Sequence, residues 1–144
     1  MEISVHDNWV YSHAVDHEGC RIILHTFYPH NDPPEYTDVV FEGVVVHHLE
    51  QQKVGGGPHP AAVLFDVEEA EPEFVLGQYA ELLIRTKNYG WPVSKYDGLD
   101  DLAARLTRHG AKCFEVQGVY GIQGFVFAAS VEFRPRETRA EIAV

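Results

Sequence analysis

The run Tyr36-Thr-Asp-Val-Val-Phe-Glu-Gly-Val-Val-Val-His-His-Leu-Glu50 constrains this chain more than any other stretch. In an extended backbone Val39, Phe41, Val45 and Leu49 fall on one side, and Val40, Val44 and Val46 on the other. A strand with valines on both sides needs cover on both faces. The run therefore predicts one long strand over residues 37–49 in the middle of a sheet, away from its edge. No catalytic signature lies in it or beside it.

Alternation at residues 8–16 and an apolar run at 21–28 predict two further strands. Asp16-His-Glu-Gly19 joins them with the residue order of a type I turn leading into a glycine bulge. The register of this hairpin stays open by one residue: Asp16 faces Arg21, or a bulge shifts the pairing. Residues 29–35, with three prolines, form a loop. After the long strand comes a Gly-Pro connection at residues 54–60 and another strand at 62–69. The most economical topology pairs these two strands as a second hairpin. From Pro72 the period changes: Val75, Tyr79, Leu82, Leu83 and Thr86 recur at helical spacing until Gly90 and Pro92. A second helix runs from about residue 99 to 109, with Leu99, Leu102, Ala103 and Leu106 on one face and Gly110 at its end. Strands at 112–117 and 125–133 form a third hairpin around the glycine-rich segment 118–124, and residues 134–144 read as a frayed tail. The expected fold is one α+β domain over residues 1–144. It has the order β-β-β-β-α-α-β-β: a mainly antiparallel sheet of three hairpins, with two helices packed against one face. Phe41, Val45, Phe65, Tyr79, Leu82, Leu102, Leu106, Phe125 and Phe127 are the expected core.

Length and charge bound the function. A chain of 144 residues, 45% hydrophobic and 23% charged, can bury a core without disulfide or metal staples. Its 11 basic and 22 acidic residues give a net charge of −11, a field that repels nucleic acid and anionic membranes and attracts a basic protein. The N-terminal residues show neither a basic region nor an apolar core of a secretory signal, and no run reaches the length of a membrane span. Cys20 and Cys113 lack paired spacing. The expectation is a cytoplasmic protein with two free thiols.

Chemistry-bearing residues are present without the spacing that chemistry requires. His6, His13, His17, His25, His47 and His48 crowd the first strands, and His13 and His25 come near each other across the first hairpin. The spacing supplies no convergent three- or four-ligand set, so no metal site is expected. Gly55-Gly-Gly57 has no following Lys-Ser/Thr and no helix start, and the G-x-x-G-x-x-G of residues 118–124 sits between two strands, so neither cradles a phosphate or dinucleotide. No serine has a nucleophile-elbow context. No catalytic residue and no cofactor are expected. The acidic run at residues 66–73 marks the corner from strand to helix, and Trp91 lies in an aromatic stretch with Tyr89 and Tyr96. Asp66, Glu68, Glu69, Glu71 and Trp91 are therefore the candidate protein contacts.

Four segments together carry a resemblance: His6-Asp7, Asp16-His-Glu-Gly19, Arg21-Ile-Ile-Leu-His-Thr26 and Asp38-Val-Val-Phe-Glu-Gly-Val-Val45. Over about its first half the chain resembles small bacterial α+β proteins, some of which are similar to immunity proteins of toxin systems. The resemblance implies stoichiometric binding to a protein partner and transfers no catalytic residue; the net charge of −11 fits a basic partner. Two alternatives remain open at this level. One is a small metal-dependent or acid/base hydrolase using His and Asp/Glu side chains of the sheet, and the other is a homo-oligomeric structural protein.

Overall fold

A computed structural model describes residues 3–51 and 62–141, without the side chains of Gln51, Phe65 and Tyr120. The fold is α+β with an antiparallel sheet. Its elements are β1 (Trp9–Asp16), β2 (Arg21–Tyr28), β3 (Glu35–Glu42), β4 (Val46–Gln51), β5 (Val63–Glu69), α1 (Pro72–Gln78), α2 (Ala80–Lys87), α3 (Leu99–Leu106), β6 (Lys112–Tyr120), β7 (Ile122–Ala128) and β8 (Ser130–Arg136). The eight strands lie in the order β4-β7-β6-β5-β1-β2-β3-β8.

The long run of residues 36–50 is not one regular strand. Gly43 adopts φ 63°, where a side chain strains the backbone, and the strand bends there into β3 and β4. A matching break at Ala129 divides β7 from β8. The two breaks are locked together: Ala129 N–H donates to Glu42 O at 2.9 Å, and Val45 N–H donates to Phe127 O at 2.7 Å. β3 pairs with β8 and β4 with β7, so two bent strands run side by side through both halves. Because β3 continues into β4 and β7 into β8, the two ends of the strand order rejoin. The sheet closes into a ring of six continuous strands.

The inside of the ring is one apolar core, with Val10, Ile22, Leu24, Val39, Phe41, Leu64, Val67, Phe114, Val116 and Val126 drawn from every strand of the ring. At one end a buried polar chain sits beneath it. Asn8 Nδ2 donates to Thr26 Oγ1 at 3.0 Å, and Thr26 Oγ1 donates to Thr37 O at 2.7 Å, so burial leaves these groups paired. The second core lies outside the ring. Val75, Leu76, Leu83, Leu102 and Leu106 of the helices pack on Cys113, Phe125 and Phe127 of β6 and β7.

Several expectations are corrected. β4 pairs with β7 rather than with β5, and β5 instead joins β6 and β1. The first hairpin has both of its open features: Asp16 faces Arg21, and a bulge between Val10 and Ser12 shifts the rest. That bulge puts Ser12 opposite His25 and His13 opposite Leu24, so His13 and His25 lie on opposite faces. Val45 is 55% exposed because it sits in the bend, where the alternation lapses. The first helix breaks at Tyr79 (φ −111°, ψ 26°), which rotates the next turn so that Leu83 is buried and Leu82 and Tyr79 are only half-buried. The segment expected to fray contributes residues 134–136 to β8, and Ala140 beyond it is 7% exposed. Phe41, Leu102, Leu106, Phe125 and Phe127 are buried as expected, whereas the Gly55–Gly57 stretch and the Phe65 side chain lie outside the described residues.

Candidate functional site

The outer face of β4, β7, β6 and β5 forms three cross-strand rows. The first joins Val46, Phe127 and Cys113, and the second joins His48, Phe125, Glu115 and Glu68. The third holds Glu50 opposite Gln123, and Gln117 opposite Asp66. The helices cover the first row. Tyr79 and Trp91 reach over the apolar half of the second: Tyr79 lies 5.2 Å from Phe125 and 5.6 Å from His48, and Trp91 lies 6.1 Å from His48. The polar groups beyond this cover line a cleft of about 600 Å³, bounded by Glu50, Gln78, Tyr79, Glu115, Gln117 and Gln123.

Local sequence explains how the face is held. In β6, Cys113, Glu115 and Gln117 alternate with buried Phe114 and Val116, so every second residue points outward. Glu115 stands directly opposite Glu68, a like-charge pair that disfavours the sheet unless donors intervene. Gln117 supplies them: its amide donates to Glu115 Oε1 at 2.9 Å and to Glu68 Oε1 at 3.1 Å. Across the cleft, His48 Nε2–H donates to Glu50 Oε1 and Gln123 Nε2–H to Glu50 Oε2, both at 3.1 Å. These two donors, His48 first, hold the Glu50 carboxyl below its usual range. Burial, then the nearby Glu50 and Glu115, push the Tyr79 hydroxyl up to about 12. Around neutral pH the cleft thus presents ionised Glu50 beside a protonated tyrosine. Its lining contains no serine, cysteine or lysine nucleophile. Such a surface accepts hydrogen bonds from cations and amides.

The expected contact residues separate in space. Asp66 and Glu68 join this face, with Asp66 Oδ1 already accepting the Val67 N–H at 2.8 Å. Glu69 is exposed and lies 3.9 Å from Lys112 Nζ, and Glu71 precedes α1 as its N-cap residue without a side-chain capping bond. Trp91 belongs to the helix-side core as a half-buried ring, while Tyr89 is 88% exposed and Tyr96 is 5% exposed. Glu50, Glu115, Gln117, Gln123, Gln78 and Tyr79 line the cleft without being among the contact residues that the sequence suggests. The Glu115-Val-Gln117 alternation was the one available signal, because Glu50 and Gln123 meet only through the β4–β7 register.

At one mouth of the ring His47 lines a smaller cleft with Asp16, His17, Cys20 and Arg21. Burial first, and then the charges of His17, His13 and His48, lower the His47 pKa. Among the described residues no three His, Cys, Asp or Glu side chains converge as a metal site. Nor is any helix among them long and apolar enough to cross a membrane. No protein-family model matches this chain, and no curated protein matches it.

Proposed function

We propose that this chain is a non-enzymatic, immunity-like protein-binding domain that acts in the bacterial cytoplasm by holding a basic partner. Its contact surface is the carboxylate-rich outer face of β4–β7–β6–β5. The observation that carries this reading is the Glu68–Gln117–Glu115 and His48–Glu50–Gln123 arrangement. Fixed donors there hold three carboxylates in place at the surface of a chain with net charge −11. Ordered carboxylates lose less side-chain entropy on contact than free ones, and the net field speeds the approach of a cationic surface.

Affinity capture from a lysate of the source organism tests the reading with three baits: wild type, Glu50→Lys/Glu68→Lys/Glu115→Lys, and Glu69→Lys/Glu71→Lys. All three should show the same circular dichroism. The expected result is a basic protein retained by wild type and by the corner variant, and lost from the face variant. Its association rate should fall steeply with salt, since screening shortens to about 8 Å at physiological ionic strength. Equal capture by all three baits, or none above background, overturns the proposal.

A further inference from the structure

The half of the ring that the helices leave bare carries a different surface. On the outer face of β1, β2 and β3, Trp9 pairs with Phe27 and Phe27 with Tyr36 across the strands. Ring centroids are 5.6 Å apart for Trp9–Phe27, 5.8 Å for Tyr11–Phe27, 6.0 Å for Phe27–Tyr36 and 6.2 Å for Tyr11–Tyr36. All four rings are half-buried, and none belongs to either core. What lies over them is the segment after β8. The Arg139 guanidinium carbon sits 4.2 Å from the Tyr11 ring centroid and 5.8 Å from that of Phe27. The Ala140 N–H donates to Tyr11 Oη at 2.9 Å, and Arg136 Nε–H donates to Thr138 O at 3.3 Å.

We infer that this aromatic face is a binding site for an arginine side chain of a partner protein, filled in cis by Arg139, so that residues 137–141 form an exchangeable cover. Three observations support it. Electron-rich ring faces attract a guanidinium, which is planar and weakly hydrated and therefore stacks at little desolvation cost. The seat already holds that group, so its chemistry is displayed by its occupant. The cover belongs to no strand or helix, so Arg139, the buried Ala140 and its bond to Tyr11 hold it without any ladder of backbone hydrogen bonds. Aromatic side chains clustered at a half-covered surface are the residues that anchor protein contacts. A tethered arginine competes at an effective concentration of roughly millimolar. An incoming arginine must therefore bring further contacts to displace it, and the cover sets a threshold for binding. This surface is separate from the carboxylate face, and the inference does not depend on that reading.

The test uses the full chain and two small probes, N-acetylarginine amide and its uncharged analogue N-acetylcitrulline amide, followed by proton NMR of the Trp9 indole and Tyr11 ring. In Arg139→Gln the seat is empty, and the arginine probe should produce saturable shifts at both rings while the citrulline probe does not. Wild type should need more arginine probe than the variant for the same shift, because the tethered group competes. If Arg139→Gln does not fold, Tyr11→Phe decides. It keeps the ring, removes the oxygen that holds Ala140, and should respond to the arginine probe at lower concentration than wild type. Equal titrations of variant and wild type, equal response to both probes, or no response in the variant would each overturn the inference. So would a wild-type dimer abolished by Arg139→Gln, which would assign the seat to the tail of a second copy.

Discussion

At the scale of single residues, burial decides which groups of this chain are chemically available. Cys20 is exposed in the β1–β2 turn, whereas Cys113 is 1% exposed beneath the helices. Burial, followed by the neighbouring Glu115, Glu69 and Glu71, pushes the Cys113 thiol up to about 12, far from the thiolate that reacts. Iodoacetamide should therefore add once to the native protein, at Cys20, and a second time only in denaturant. Mass spectrometry after tryptic digestion reads both events, and native labelling of Cys113 at the Cys20 rate would contradict the helix packing. His47 gives the corresponding statement for pH. Its folded pKa lies below the ordinary 6.5, so the unfolded chain takes up the proton first as pH falls. The stability it contributes is complete above about 6.5 and drains away as pH drops from there towards the folded value. Between pH 7.5 and 5 the Tm of His47→Gln should fall less than that of wild type, and parallel curves would remove His47 as a cause. The sequence showed that Glu115 and Gln117 alternate with apolar neighbours. It did not show Glu68 opposite Glu115, because irregularities at Val63/Leu64 and Leu64/Asp66 set that register.

At the scale of elements, the bend at Gly43 converts a straight strand into part of a ring. A Cβ added there would sit 2.8 Å from the Ala129 Cβ while the backbone remains at φ 63°. Gly43→Val should therefore cost about 2 kcal/mol or more, combining left-handed strain with a steric clash, and chemical denaturation measures it. A loss below about 0.5 kcal/mol would mean that the two bent strands are not locked at this point. The alternation of valines on both sides was legible in the run, and both Val39 and Val40 are buried. The bend was not, because a glycine in a strand marks equally a close approach, a bulge or a mere gap until its neighbour is known. The helix shows the same limit. Its apolar period was legible, and Leu83 on that face is 2% exposed while Ile84 off it is 73% exposed; the break at Tyr79 was not, and Leu82 and Tyr79 of the same face are only half-buried. Leu83→Ala should destabilise by about 2–5 kcal/mol, and Ile84→Ala by less than about 0.5 kcal/mol. Comparable losses at the two positions would mean that the helix is turned differently on the sheet.

At the scale of the whole molecule, the ring has unequal seams. β2 and β3 pair through eight consecutive positions, from Arg21 opposite Glu42 to Tyr28 opposite Glu35. Among the described residues β1 and β5 share one registered position, Trp9 opposite Val63, supported by Val10 N–H to Ala62 O and Asp7 N–H to Leu64 O, both at 3.0 Å, and Leu64 N–H to Asn8 O at 2.9 Å. Local sequence could not foresee closure, because it depends on where β5 returns after two other strands have already paired. Nearest-neighbour economy, which joined β5 to the long strand, is a rule about short connections, and the chain between those strands is long. Closure leaves β4 and β8, each with one bonded neighbour among the described residues, as the strands with an unpaired side, and two dissimilar faces are available for binding besides. It also makes the β1–β5 seam the place where the ring opens at least cost. Native-state hydrogen exchange should show this as faster exchange of the Val10 and Leu64 amides than of the Ile23 and Val40 amides. The second pair lies in strands bonded on both sides and opens only with the whole fold. Mild denaturant separates the two regimes, since local opening is insensitive to it while global unfolding is not. If all four amides merge onto one isotherm in water, the ring opens as a single unit and the seam is as strong as the rest. If Val10 and Leu64 alone exchange early, the apolar interior becomes accessible first along β1 and β5, next to Trp9 and the aromatic face.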